Sequence, residues 1–135
     1  MPRRAIIDSN IVLRYLLDDD PVQSREARKL IDQTSDASLY LPAIVLTEVT
    51  WTLRSHFGVP REAISAAIQR FIAQPAISVD AITLDAVARY ATTTIDFADC
   101  ALAAAGAAAG LPIITYDRDF RKFPDVQVKR PKELS

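Results

Sequence analysis

Five acidic residues stand within or directly after segments of the sequence that are otherwise apolar. They are Asp8, Glu48, Asp96, Asp99 and Asp117. An unpaired carboxylate is costly to bury, so acidic side chains in such segments usually share a partner. If the fold gathers these five, the expected partner is a hard divalent cation that takes oxygen ligands, Mg²⁺ or Mn²⁺.

A cation held by several carboxylates supports the hydrolysis of phosphate esters. Crowded carboxylates repel one another, which raises their pKa values unless a cation neutralises them. The cation binds phosphate oxygens and lowers the pKa of a bound water, which then attacks phosphorus. The chain has one histidine, His56, and one cysteine, Cys100, so a histidine-dependent triad or a cysteine-rich zinc site has little support. We therefore expect metal-dependent hydrolysis of a phosphodiester or another phosphate ester.

Most of these acids also have an ordinary structural explanation. Asp8 and Asp96 suit the capping of a helix, and Asp117 suits a turn. Glu48 is different, because no lysine or arginine stands at helical spacing to pair with it. Its neighbours at that spacing are mostly apolar: Ile44, Val45, Trp51 and Thr52. A glutamate on an apolar helix face more often marks a site than a surface, which makes the other acids worth grouping with it.

Composition indicates one globular domain over residues 1–135. Half of the residues are hydrophobic and 24% are charged, and no apolar stretch approaches the roughly 20 residues of a membrane span. The apolar run behind the basic start is too short for a secretory signal, so we expect a cytoplasmic protein.

The net charge of −1 does not itself favour a polyanionic partner, but basic residues crowd the end of the chain. They are Arg118, Arg121, Lys122, Lys129, Arg130 and Lys132. This basic end is either a solvated surface or a contact surface for phosphates or for an acidic partner segment.

Short apolar runs alternate with helical patterns, which predicts an α/β fold with a parallel sheet and helices on both faces. Strands are predicted at residues 5–7, 39–41, 77–79, 111–115 and 126–128. Helices are predicted from residues 11, 21, 42, 60, 82 and 97, the last ending at Gly110. Trp51, Phe57 and Phe71 are expected in the core, and Cys100 is expected to be buried.

This alternation can bring the acids to one end of the sheet, where open α/β folds bind their ligands. Asp8 follows the first predicted strand and Asp117 follows the fourth. Glu48 lies in the second turn of the helix after the second strand. Asp96 and Asp99 are three residues apart at a helix start, so they share one face.

Four segments together resemble a PIN-domain ribonuclease of the VapC toxin type. They are residues 6–17 (IIDSNIVLRYLL), 46–53 (LTEVTWTL), 96–104 (DFADCALAA) and 115–120 (TYDRDF). No single segment is specific, but all four occur in order over a chain of the expected length. The resemblance implies a three-layer α/β/α fold with a four- to five-stranded parallel sheet, and an endonuclease that cleaves RNA with Mg²⁺ or Mn²⁺.

The resemblance also assigns parts to individual residues. The acids that match the family's catalytic and metal-binding positions are Asp8, Glu48, Asp99 and Asp117. Asp96 matches an accessory acid of the metal site. Polar residues that would line the same pocket are Ser9, Asn10 and Thr115. Cys100 stands where the family often has Ala or Ser, which is a packing change that leaves the acids in place.

Partners follow from the same resemblance. Such toxins usually form homodimers and are silenced by a small VapB-type antitoxin, which often inserts an arginine or lysine among the acids. The pairing is physically sensible, because a guanidinium can pair with carboxylates that would otherwise hold metal. The expected apolar part of the antitoxin groove is formed by Tyr15, Leu16, Leu17 and residues 51–57.

Three alternatives remain at the level of sequence. A receiver-like regulatory module would need a lysine after a late strand, where this chain has Thr115, Tyr116 and Asp117. A Mg²⁺-dependent phosphatase with an aspartyl nucleophile would need a second Asp two residues after Asp8, but that residue is Asn10. A PIN domain used only for binding would not need the full set of acids.

Overall fold

Short parallel strands alternate with helices in a computed structural model that describes residues 2–134. The chain divides into two compact units, Met1–Asp80 and Ala81–Ser135. The elements of the first unit are β1 (Ala5–Ile6), α1 (Ser9–Leu16), α2 (Pro21–Gln33), β2 (Leu39–Tyr40), α3 (Ala43–Ser55), α4 (Arg61–Ile72) and β3 (Ile77–Ser78). Those of the second unit are α5 (Ala81–Thr92), α6 (Phe97–Ala109), β4 (Ile113–Ile114), a 3₁₀ helix (Arg118–Lys122), β5 (Val128–Lys129) and α7 (Pro131–Leu134).

The three strands of the first unit form a parallel sheet in the order β1-β2-β3. Ala5 is in register with Leu39, and Leu39 with Ile77. One further hydrogen bond extends the ladder at the carboxyl end of β1, where the Ile7 amide donates to the Tyr40 carbonyl at 3.0 Å. The carboxyl ends of β1 and β2 therefore meet at the same edge of the sheet, and this edge receives the starts of α1 and α3.

Capping residues and prolines set the helix starts of the first unit. Asp8 caps α1 by accepting a hydrogen bond from the Ile11 amide at 3.2 Å. Asp20 caps α2 by accepting from the Gln23 amide at 3.1 Å, and Pro21 occupies the first turn. Each such cap is worth about 1 kcal/mol, because it satisfies an amide that the helix leaves unpaired.

Each helix of the first unit buries one apolar face. Val12, Ile31, Leu46, Ile64 and Phe71 are almost completely inaccessible to solvent. Fully burying a side chain of this kind contributes about 1.5–3 kcal/mol. The core of this unit therefore fixes the exposed face of α3, which carries Glu48, and the start of α1, which Asp8 caps.

Helix α6 of the second unit packs closely against β4 because its buried face is built from alanine and glycine. A Cβ atom on Gly106 would lie 2.8 Å from Ile113 Cδ1 and 3.1 Å from the Leu111 carbonyl oxygen. Ala103 and Ala104 are buried on the same helix. Gly110 ends α6 in the left-handed conformation at φ 66°, as the sequence predicts.

A nearly buried arginine joins two parts of the second unit. The side chain of Arg89 is 11% exposed and pairs with Asp85 at 3.1 Å and with both carboxylate oxygens of Asp125. Its hydrogen bonds hold the pKa of Asp125 below the usual value. Helix α5 is thereby tied to the segment that leads into β5, which pairs in parallel with β4.

The structure confirms the predicted α/β class with parallel strands, and the boundaries differ in informative ways. The five strands are divided between a three-stranded and a two-stranded sheet. The last strand begins at Val128 rather than at Val126, because Val126 is a buried residue of the preceding turn. The 3₁₀ helix and α7 were not predicted. None of the helices within residues 2–134 has the length and apolar composition of a membrane span.

The expected burial of two aromatic residues is wrong. Trp51 is 66% exposed and Phe57 is 41% exposed, and only Phe71 belongs to the core. The reason is the orientation of α3, whose buried residues are Leu46, Val49, Thr50 and Leu53. Trp51 lies on the other side of this helix, one turn after Glu48.

Replacing Gly106 by valine should destabilise the protein by about 2–3 kcal/mol, because the added methyl groups meet Ile113 and the Leu111 carbonyl. Denaturant unfolding followed by circular dichroism measures the change. The matched control is Ala108→Val, at an exposed position of the same helix, which should cost only about 0.5 kcal/mol of helix propensity. Equal losses in the two variants would show that the close contact is not responsible.

Candidate active site

Asp8 and Glu48 lie on one open groove of the first unit. The groove has a volume of about 520 Å³ and is called the α3 groove here. Its lining residues are Asp8, Ser9, Ile44, Val45, Thr47, Glu48 and Trp51. Both carboxylates are exposed, and neither forms an ion pair within the described part of the chain. The groove therefore combines two uncompensated negative charges with an apolar wall.

The capping of α1 uses only one of the two oxygens of the Asp8 carboxylate. Only Oδ1 accepts the hydrogen bond from the Ile11 amide, so Oδ2 is available to a ligand. Asp117 behaves in the same way, because its Oδ1 accepts from the Asp119 amide at 2.9 Å at the start of the 3₁₀ helix. The structural and the chemical explanations of these two acids are therefore compatible.

The carboxylate of Asp96 is not used as a cap. Asp96 stands at the N-cap position of α6, but its side chain makes no capping hydrogen bond. The contacts with the helix come from its backbone, whose carbonyl accepts from the amides of Asp99 and Cys100 at 3.0 Å each. The simplest structural explanation of this acid is therefore wrong, and its side chain is available to a ligand.

Four carboxylates of the second unit interact with one another. Burial raises the pKa of Asp99, and the negative charges of Asp117, Asp96 and Asp119 raise it further, in that order. The fold thus brings together the three acids that the sequence predicts in this half of the chain. A partly buried acid that is repelled by its neighbours is more stable with a cation beside it.

Asp119 is the member of this group that sequence reasoning missed. The signal was its position two residues after Asp117 in the same turn. It was obscured by Lys122, which stands one helical turn later and pairs with Asp119 at 3.6 Å. Such a pair looks like an ordinary surface contact in a sequence.

The three polar residues expected around the acids have different surroundings. Ser9 lies in the α3 groove beside Asp8. Asn10 lines a second groove of about 490 Å³, which also borders Asp8 and is walled by Arg14 and Gln23. Thr115 holds the turn before the 3₁₀ helix, because its Oγ1 accepts from the Asp117 amide at 2.9 Å.

The expected apolar groove is better formed on α3 than on α1. Ile44 is 77% exposed and lies in the α3 groove with Trp51. Tyr15, Leu16 and Leu17 are only partly exposed. The Tyr15 hydroxyl is already engaged, since it accepts from Gln74 Nε2 at 2.6 Å.

Cys100 follows Asp99 and is completely buried, as the sequence predicts. Its Sγ donates to the Ile95 carbonyl at 3.5 Å. The thiol therefore belongs to the packing beneath the acids.

The chemistry of the donors fits a hard divalent ion. All five predicted acids offer oxygen, the ligand that Mg²⁺ and Mn²⁺ prefer, and the repulsion around Asp99 would be relieved by positive charge. Within residues 2–134, no three or more His, Cys, Asp or Glu side chains are already arranged to hold an ion. The fit therefore rests on donor type and charge.

Comparison with known families identifies the fold. The sequence model of the PIN-domain family matches residues 5–126. The chain belongs to the PIN-domain family. PIN domains are nucleases and generally use divalent metal ions, and all five predicted acids fall within the matched residues. The family-level resemblance predicted from the four sequence segments is thus confirmed.

One solved structure with a similar sequence length is a complex of VapBC2 from Rickettsia felis bound to a DNA fragment from their promoter. The identity is 13% and the TM-score is 0.38, over 96% of this chain and 98% of that one. No curated protein matches the chain.

The raised pKa of Asp99 predicts that this acid destabilises the metal-free fold at neutral pH. When the pKa of a carboxyl group is higher in the folded than in the unfolded chain, the group does not reduce the free energy of unfolding at pH values below the unfolded-state pKa. It reduces the free energy of unfolding as pH rises through the folded-state pKa. In chelator at pH 7, Asp99→Asn should therefore be more stable than the wild type, and the difference should vanish in acid. Chemical unfolding at a series of pH values measures it.

Glu62→Gln is the control, because Glu62 is an exposed acid in the first turn of α4. It should change stability by no more than about 0.5 kcal/mol at any pH. An Asp99→Asn protein that is less stable than the wild type at pH 7 in chelator would contradict the prediction that the charge of Asp99 destabilises the metal-free fold.

Proposed function

We propose that the protein is a metal-dependent endoribonuclease of the VapC toxin type. The observation that carries this proposal is the group of carboxylates around Asp99, whose pKa is raised by burial and by Asp117 and Asp96, inside a PIN domain. We assign metal binding and catalysis to Asp8, Glu48, Asp99 and Asp117, with Asp96 in support. Four ordered segments that resemble the VapC type support the narrower assignment.

The reaction is the hydrolysis of a phosphodiester bond of RNA. The oxygen of a water molecule bonds to phosphorus, the bond from phosphorus to the leaving oxygen breaks, and that oxygen takes a proton. Bound Mg²⁺ or Mn²⁺ supplies positive charge for the phosphate oxygens and lowers the pKa of a bound water. The acids would hold the ion, and Asp8 would still have the carboxylate oxygen that does not cap α1. Thr115 keeps Asp117 in position through its backbone amide.

The two phosphate-chemistry alternatives receive less support. This chain lacks a residue that a receiver-like module requires and one that an aspartyl phosphatase requires. The match to the PIN-domain family favours a nuclease. A binding-only PIN domain differs from our proposal in one measurable property, which is cleavage.

Purified protein should cleave RNA with Mg²⁺ or Mn²⁺ and stop when chelator is added. Asp8→Asn keeps an oxygen that can cap α1 and removes the charge, so it should reduce cleavage by more than about a hundredfold while the fold remains. Glu48→Gln should act in the same direction. Initial rates on a labelled single-stranded RNA measure the effect.

Glu62→Gln is again the matched control and should cleave at the wild-type rate. Circular dichroism of each variant separates a loss of chemistry from a loss of folding. Wild-type rates in both Asp8→Asn and Glu48→Gln would disprove the assignment.

We further propose that a VapB-type antitoxin binds the α3 groove and that the toxin forms a homodimer. Ile44 and Trp51 expose apolar surface beside Asp8 and Glu48. Such a surface suits a segment with an apolar side chain for the wall and a lysine or arginine for the two carboxylates. The inhibitor would then occupy acids that are needed for the ion.

Trp51→Ala should weaken antitoxin binding about thirtyfold, because a large exposed aromatic residue in a groove is a typical anchor of an interface. The fold should be unaffected, since Trp51 packs in no core. Calorimetric titration with the proposed VapB-type antitoxin measures the affinity. Unchanged affinity in Trp51→Ala, alongside unchanged affinity in the surface control Glu62→Gln, would place the antitoxin elsewhere.

A further inference from the structure

A small cleft beside Asp117 combines an exposed aromatic ring with four basic side chains. We call it the Tyr116 cleft, lined by Tyr116, Asp117, Arg118, Arg121, Lys129 and Arg130 among others. The pairing of β4 with β5 creates it. Because Ile114 is in register with Lys129, and the Thr115 amide donates to the Lys129 carbonyl at 3.0 Å, the residues after both strands meet at one edge.

The four basic side chains of the cleft are not neutralised by ion pairs. Within residues 2–134, acidic partners pair with Arg3, Arg4, Arg14, Arg28, Arg89 and Lys122, but with none of the four cleft cations. The acid at the rim, Glu133, accepts from the Arg130 backbone amide at 2.9 Å. The cleft thus keeps positive charge directly beside an acid of the candidate active site.

The aromatic ring of the cleft is presented to solvent. Tyr116 is 72% exposed. The guanidinium of Arg130 lies 5.9 Å from the centroid of its ring. An exposed ring with an arginine beside it is the arrangement on which proteins stack unpaired bases, while neighbouring cations bind the phosphates.

We propose that the Tyr116 cleft binds single-stranded RNA next to the bond that is cut, with one base stacked on Tyr116 and the flanking phosphates on the four basic residues. This inference rests on the proposed nuclease function, since Tyr116 and Asp117 are consecutive residues of the same cleft. Stacking on Tyr116 requires an unpaired base, because the bases of a duplex are not available for stacking.

Binding can be measured without cleavage, on the full chain in chelator. The probe is a fluorescein-labelled single-stranded RNA of about 12 nucleotides, a length that spans one site. Tyr116→Ala should weaken binding about tenfold, whereas Tyr116→Phe keeps the ring and should bind as the wild type does. A duplex of the same length should bind weakly and should not respond to Tyr116→Ala.

The basic residues have a separate signature. Arg118→Ala and Arg121→Ala should each reduce the steepness of the fall of log affinity with log salt by about 0.7, the value for one phosphate of a single strand. Arg70→Ala is the control, because Arg70 is an exposed arginine at the end of α4. Its salt dependence should equal that of the wild type.

Failure of this inference and failure of the nuclease proposal give different results. If the wild type cleaves no RNA, the nuclease proposal fails, and the inference falls with it as a statement about substrate. If the wild type cleaves RNA, Tyr116→Ala should raise KM with little change in kcat. Cleavage with an unchanged KM and unchanged RNA affinity in Tyr116→Ala would overturn the inference alone.

An acidic protein segment is the competing ligand for the basic residues of the Tyr116 cleft. A fluorescein-labelled oligoglutamate peptide tests it under the same conditions. Binding of this peptide that depends on Arg118 and Arg121, together with RNA binding that does not, would also overturn the inference.

Discussion

The cost of a negative charge at Asp99, which is partly buried and lies near other carboxylates, is the constraint from which the chemistry of this protein follows. Asp99 carries the effect, since burial and the charges of Asp117 and Asp96 raise its pKa. The fold cannot relieve the repulsion by separating the acids. Helix α6, which carries Asp99, is held close to β4 at Gly106, and Asp117 lies between that strand and the 3₁₀ helix. A ligand that binds only the folded state and brings positive charge therefore adds stability as well as chemistry.

Two of the acids serve the backbone and the site at the same time. Asp8 and Asp117 each use one carboxylate oxygen to start a helix and leave the other oxygen available. The helix start fixes the direction of the side chain, which a free surface acid would not have. This double use explains why their sequence context is ambiguous: a capping acid and a ligand acid at the end of a strand have the same local pattern. Asp96 lacks the capping bond, so its position at a helix start was the misleading signal.

Much of the fold could be predicted because the starts and ends of its helices are set by individual residues nearby in the sequence. Pro21, Pro42 and Pro60 mark helix starts by their fixed φ, and Asp8 and Asp20 mark starts by capping. Gly110 marks the end of α6, because glycine adopts the left-handed conformation without strain. The exposure of Trp51 could not be predicted, because periodicity shows that a helix is apolar but not which of its faces the rest of the fold covers. Asp119 was missed because Lys122 offers it a local partner. The grouping of Asp96, Asp99 and Asp117 was predictable from strand order, whereas the partial burial of Asp99, the first cause of its raised pKa, required the structure.

The complete burial of Cys100 has a practical consequence for labelling. It is the single cysteine of the sequence, and its Sγ is packed beneath the acids and directed at the Ile95 carbonyl. Thiol reagents require an accessible thiolate, which such a site suppresses. The native chain is therefore a background of low thiol reactivity, and a cysteine introduced on the surface can carry a fluorophore or a spin label without removal of Cys100. Packing around the site is preserved, because the natural thiol stays in place.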